Sequence, residues 1–268
     1  MCPPNFARPR FVLPSSPMDD KEVFKGQMVN FSKKVIKKVL NAIKLDVVRL
    51  NKTPQSSLLG LKNLPIRTII DVGANTGQFA RTIGKAFPEA KIYCFEPVPE
   101  PFRELSKWAE SKNDKVKTFN FALGDSDGEI EMFYHSEHSP SSSILKTTQV
   151  CESLYPFTKE QRSVLVKQTT LDKAVDNLNI LLTSEILIKI DVQGYEDRVI
   201  RGGKKTFESA KACIVEVNLD KLYKGQTHFK EITELLYDTD MGFKYAGNLN
   251  QSCADDGHVI FIDAVFVR

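Results

Sequence analysis

No run of apolar residues in this chain approaches the roughly 18 that a membrane-spanning helix requires. The opening MCPPNFARPRFVLPSSPMDD offers only Phe11, Val12 and Leu13 as a continuous apolar stretch, too short for the h-region of a secretory signal. None of the five cysteines (Cys2, Cys94, Cys151, Cys213, Cys253) forms a Cys-x-x-Cys pair, which argues against both a zinc site and a disulfide framework. Cys94 and Cys213 sit inside KIYCFEP and KACIVEVN and read as small buried core residues of a protein in a reducing, cytoplasmic compartment. Charge of one sign is also in short supply: 37 Lys and Arg against 34 Asp and Glu leave +3, too little to argue for a nucleic-acid partner. What remains is ordinary globular material, 268 residues with 41% hydrophobic and 26% charged, enough for one or two domains.

Residues 1–28 read as a disordered leader. From 29 to 50, Phe31, Val35, Val39 and Ile43 recur four apart beside Ile36 and Leu40, the period of an amphipathic helix. Lys33, Lys34, Lys37, Lys38, Lys44 and Arg49 stand against a single acid, Asp46. Two readings stay open: a helix packed on the body of the protein or on a second copy as a homodimer, with its lysines solvated, or a peripheral contact with an anionic membrane surface. TPQSSLLGLKNLP (53–65) has the composition of a connection, so the expected units are a leader (1–28), a basic helix with its linker (29–60) and a main domain (61–268).

The main domain alternates strand and helix. RTIIDV (67–72), KIYCF (91–95), VKTFNFA (116–122), ILIKI (186–190) and ACIVEV (212–217) are apolar strand runs, with helical segments after Gly77, from 99 to 111, near 195–200 and near 228–237. EIEMFYH reads as a return strand, and FKYAG and VIFIDAVFVR as an antiparallel pair at the sheet edge. The alternation predicts an α/β, Rossmann-like fold, a mostly parallel sheet with helices on both faces. Residues 135–163, polar and serine-rich, read as a long loop of the kind that serves as a lid.

DVGANTG (71–77) lies between a strand and a helix, where glycines let a ligand approach the backbone and helix amides face it. It is not the G-x-G-x-x-G of dinucleotide sites. Asp71, two residues before the first glycine, would repel a pyrophosphate but suits the ammonium of an amino-acid ligand. Glu96 ends the next strand about 20 residues on, where an acid in such folds accepts hydrogen bonds from ribose hydroxyls. An amino acid joined to a nucleoside is S-adenosylmethionine.

In this order and spacing the chain resembles the FkbM family of S-adenosylmethionine-dependent methyltransferases. The resemblance spans roughly residues 66–268 and rests on DVGANTGQF (71–79), FEP (95–97), N-x-A-L-G-D (120–125), SSSI (141–144), TTLD (169–172), KIDVQGYEDRVIRGG (189–203) and EVN (216–218). It implies a class I methyltransferase fold and O-methylation of a hydroxyl on a sugar, glycan or natural-product acceptor. By this resemblance Asp71, Gly73, Asn75 and Gly77 would contact the methionine half of the cofactor, Glu96 the ribose, and Asn120 to Ala122 the adenine. One departure is Gln193, which stands where the family usually carries Glu.

A hydroxyl acceptor must lose a proton, and Asp191 and Glu196, flanking Gly194, are the expected catalytic carboxylates. Ser142, Ser143 and His138 are the expected substrate contacts. Asp191, Glu216 and Asn218, at two successive strand tips, form the alternative of an oxygen-rich magnesium site, against the expectation of no metal. Two other functions remain at this level: N-methylation, and a non-catalytic scaffold that keeps the fold.

Overall fold

The computed structural model describes residues 53–237 and 241–268, together with helical residues 38–40 and 42. The expected leader lies outside the described residues, as does most of the expected basic helix. The chain divides into a unit ending at Leu50 and a compact unit, Asn51–Arg268, to which the following description applies.

Seven strands form the main sheet in the order β3-β2-β1-β7-β8-β10-β9. β1 (Thr68–Val72), β2 (Lys91–Phe95), β3 (Val116–Phe119), β7 (Ile186–Ile190) and β8 (Ala212–Asn218) run parallel; β10 (Val259–Val267) pairs antiparallel with β8, and β9 (Lys244–Cys253) antiparallel with β10. Strands buried on both faces need near-continuous apolar sequence, which TIIDV, ILIKI and ACIVEVN supply. The expected parallel sheet and its antiparallel edge are both present, with β10 inserted between β8 and β9.

α1 (Pro54–Ser57) and a 3₁₀ segment (Leu58–Asn63) precede β1. After it come α2 (Gln78–Ala86), α3 (Pro99–Glu110), α4 (Gln149–Leu154), α5 (Leu171–Asn177), α6 (Glu196–Gly202), α7 (Lys204–Ser209) and α8 (Phe229–Tyr237). Pro99 opens α3, where its missing N–H costs nothing. In the TTLD motif, Thr170 caps α5 by accepting from Lys173 N, and Asp172 accepts from Lys205 N and Thr206 N of α7. That motif is a fastening between helices.

A second sheet, order β4-β6-β5, contains β4 (Ala122–Gly124), β5 (Gly128–Tyr134) and β6 (Arg162–Thr170). The run expected as one strand, 116–122, breaks at Asn120, so β4 leaves the main sheet and pairs with β6. The middle segment is also more structured than its polarity suggests, because it contains a 3₁₀ turn (Ser139–Ser141), α4 and the start of β6.

Side chains alternate across a strand, so each main-sheet strand feeds two apolar layers. One layer holds Ile70, Val72, Ile188, Ile190, Val215 and Phe207; the other holds Ile69, Leu187, Ile214, Ile83 and Leu105. Leu58 and Leu61, from the stretch expected as a connection, are buried in this second layer. Each fully buried side chain of this size stabilises by about 1.5–3 kcal/mol. On the second face, the next inward position of each strand toward one end of the sheet is charged: Asp71 after Ile69, Lys189 after Leu187, Glu216 after Ile214, and Asp263 on β10 opposite Glu216. That switch from apolar to ionic marks the end of the core and the floor of a cleft.

Candidate active site

The cleft, about 320 Å³, is lined by the ends of β1, β2, β7 and β8, by β10, and by the loop around Ser139. Strand order fixes the sequence of acids along it: Glu96 beyond β2, Asp71 on β1, Asp191 beyond β7, Glu216 on β8 and Asp263 on β10. At roughly 4.8 Å per strand, four steps span about 19 Å. The row is long enough for two ligands end to end.

At the β2 and β1 end, Glu96 accepts from Asn75 N at Oε2 and from Val98 N at Oε1, both at 2.8 Å. It therefore braces the glycine turn against the start of α3. Burial outweighs these two amides and, with Asp71 and Asp191 nearby, pushes its carboxyl up to about 7. Asp71 is buried, and its Oδ2 has no hydrogen-bond partner among the described residues. Burial lifts it to about 7, with Lys189 pulling it down and Asp191 pushing it up. Phe95, Phe121, Leu123 and Met132 form an apolar wall beside Glu96.

At the other end, Lys189 reaches Asp191 Oδ2 with Nζ at 2.8 Å and has only 8% of its side chain exposed. Burial alone would depress this ammonium, but Asp191, Glu216, Asp263 and Asp71 together hold it above the ordinary lysine value. Gln193, in the left-handed region at φ 58°, donates from Nε2 to Asp191 Oδ1 (2.8 Å) and to Glu216 Oε1. Tyr223 places its hydroxyl 2.8 Å from Gln193 Oε1 and 3.0 Å from Ser141 O. Ser143 Oγ donates to Gln193 O (2.7 Å) and Asn75 Nδ2 to Ser139 Oγ (2.9 Å), so the serine loop is tied to both ends of the cleft.

Of the residues expected at a site, the structure brings Asp71, Gly73, Asn75, Glu96, Ala122, Ser142, Asp191 and Glu216 into this lining. It places others elsewhere. A Cβ at Gly77 (φ 87°) would lie 2.9 Å from Leu105 and 3.3 Å from Trp108, so that glycine serves the packing of α2 on α3. Asn120 donates to the carbonyls of Glu96 and Pro97 and ties β3 to β2. Glu196 is buried outside the cleft and accepts from Val192 N and Gly194 N, fixing the turn that carries Asp191. Ser143 anchors the loop, and His138 pairs with Ser141 Oγ and stacks near Phe157. Gly73 lines the cleft, but its glycine is demanded by β7: a Cβ there would fall 1.9 Å from the Asp191 carbonyl oxygen.

The magnesium alternative does not fit. Asn218 lies outside the lining, and the space between Asp191 and Glu216 receives a Gln193 amide and a Lys189 ammonium, donors that a cation would have to displace. Among the described residues no group of three His, Cys, Asp or Glu could hold a metal ion.

Residues 71–245, well over half of the chain, match the Methyltransferase FkbM domain. The chain belongs to the FkbM methyltransferase family. Its matched region carries most of the cleft, from Asp71 to Glu216, whereas Asp263 falls beyond it. Similar proteins include 2-O-methyltransferase NoeI of Sinorhizobium fredii, 29% identical over 200 residues, which cover 69% of this chain and 79% of NoeI. Hexuronic acid methyltransferase AglP of Haloferax volcanii is 25% identical over 177 residues, 63% of this chain and 66% of AglP. Among solved structures, an FkbM methyltransferase from Methylobacillus flagellatus superposes with a TM-score of 0.49 at 12% identity, covering 76% of this chain and 44% of that one.

Sequence reasoning did not single out Lys189, Asp263 or Tyr223 as site residues. A signal for two of them was available. ILIKI and FIDAV each interrupt an apolar strand with one charge, as IIDV and IVEVN do, and a charge in a strand buried on both faces must meet a partner.

Proposed function

We propose that this FkbM methyltransferase moves a methyl group from S-adenosylmethionine to a hydroxyl of a sugar-type acceptor. The observation that carries the reading is Asp71 Oδ2, a buried carboxylate oxygen beside the glycine turn that receives no hydrogen bond from any described residue. An ammonium group is the ligand chemistry that answers it. Glu96 has lone pairs left after its two amides and stands next to an apolar wall, which suits a ribose hydroxyl with a flat base beyond it.

When bound, the cofactor supplies a methyl on a sulfonium that is already a good leaving group. The protein's task is alignment, which can be worth about 7–11 kcal/mol when the nucleophile is held in line. Asp191, fixed by Lys189 and Gln193, orients the acceptor over β7, and Ser142 faces it from the loop. The sugar class is supported by the names of the relatives, NoeI and AglP.

Calorimetric titration with S-adenosylmethionine and S-adenosylhomocysteine tests the reading. Micromolar binding is expected for the full chain. Two charge-assisted contacts at about 1.5–3 kcal/mol each predict a loss of about 100-fold or more in an Asp71→Ala, Glu96→Ala variant. Folded wild-type protein that binds neither ligand at millimolar concentration would end the proposal.

A further inference from the structure

The acceptor end of the cleft holds more acid than orientation requires. Asp191 has both carboxylate oxygens engaged, one by the Lys189 ammonium and one by the Gln193 amide. Glu216 receives a single donor among the described residues, Gln193 Nε2 at Oε1. Asp263 lines the cleft without a hydrogen bond from any described residue. Glu216 and Asp263 stand directly opposite each other in the antiparallel register of β8 and β10. Side chains so placed have Cβ atoms about 4.5–5.5 Å apart, close enough for two carboxyls to share a proton.

The surroundings favour such sharing. Burial pushes the Glu216 carboxyl well up, Asp191 and Asp263 add to the push, and Lys189 and Gln193 oppose it. Asp263 is raised by burial and by Asp191, against Lys189. One ammonium faces three acids here, so a full set of ionised carboxylates is not balanced. Tyr223, from the loop after β8, holds Gln193 from behind, and its own hydroxyl is kept protonated by burial.

We propose that Glu216 and Asp263 form a carboxylate pair that receives the acceptor's hydroxyl proton, with Gln193 as the positioning residue for Glu216. This rests on the methyl-transfer reading. In the step, the acceptor O–H proton passes to the ionised carboxylate of the pair. A lone pair on that oxygen forms the new O–CH₃ bond, and the electron pair of the broken methyl–sulfur bond stays on sulfur. The pair then returns its proton to water. Asp191 already has one oxygen committed to the Lys189 ammonium and the other to the Gln193 amide.

Carbon-13 NMR of full-length protein labelled at the Asp and Glu carboxyls reads the pair without turnover. Glu216 and Asp263 should titrate in two coupled steps, one well above the ordinary carboxylate range, and Glu216→Gln should collapse Asp263 to a single step. Independent titration of both at ordinary values would overturn the assignment. With hexuronic acids and neutral sugars as acceptor probes, Glu216→Gln should lower kcat about 100-fold while the Kd for S-adenosylhomocysteine stays within about threefold. Asp263→Asn should shift the acidic limb of the pH–rate profile, and it carries the same test should Glu216→Gln fail to fold. Binding of S-adenosylhomocysteine with an unchanged kcat in both variants would overturn the pair alone. Absence of that binding in the wild type would remove the methyl-transfer reading and the pair with it.

Discussion

The two ends of the cleft bury acid in opposite ways. Over β2 and β1, Glu96 takes two backbone amides beside an apolar wall, and Asp71 Oδ2 receives no hydrogen bond from any described residue. Over β7, β8 and β10, Asp191, Glu216 and Asp263 gather around an ammonium and an amide supplied by the protein itself. The first end shares Lys189 only across the β1–β7 register and leaves one Asp71 oxygen without a hydrogen bond from any described residue. The second is already partly balanced, which suits a region that moves a proton instead of holding a charge.

Removing the internal cation should separate the two ends most sharply. Lys189→Met would leave buried carboxylates without their counter-charge, and breaking a buried pair in this way costs about 3–5 kcal/mol. The denaturant midpoint should fall accordingly at neutral pH and recover toward acid, where the same carboxyls are protonated. An unchanged midpoint would mean that the cluster is solvated and that Lys189 holds nothing together.

A smaller effect distinguishes packing glycines from ligand glycines. Gly77→Ala forces φ 87° on a residue with a Cβ and presses it on Leu105, so a loss of about 2 kcal/mol in stability is expected. The Kd for S-adenosylhomocysteine should stay within about twofold. A tenfold weaker Kd in folded protein would put Gly77 at the ligand after all.

Gly77 also shows how far sequence alone reaches. The motif DVGANTG, the strand alternation and the strand-tip acids were readable because they are local: a turn, a period, a position after an apolar run. Which face of the turn each residue takes was not, since it depends on α3 packing behind Gly77 and on β7 pressing on Gly73. Glu196 reads like a second catalytic acid next to Asp191, but the turn between them aims it at the amides of 192 and 194. Lys189 and Asp263 were hidden for the opposite reason: each is an isolated charge in an apolar strand, and their meeting depends on the order β1-β7-β8-β10. The role of Gln193 likewise depends on which tips lie side by side.

The gentlest test follows from protonation at the first end. Asp71 and Glu96 have carboxyls raised to about 7 by burial, against about 4 in an unfolded chain. A raised carboxyl favours the folded state while protonated, so the contribution of these two groups to the stability of the ligand-free protein should be greatest below about pH 4. That contribution should be lost as pH rises through 7. Binding an ammonium runs the other way, because the ligand needs Asp71 ionised. Below pH 7 the Kd for S-adenosylhomocysteine should weaken about tenfold per unit, about 1.4 kcal/mol, and flatten above it. Asp71→Asn should bind more weakly and lose most of this slope. Calorimetry across that range that gave a flat wild-type profile would show that Asp71 enters the complex already ionised, and the contrast between the two ends would then rest on Lys189 alone.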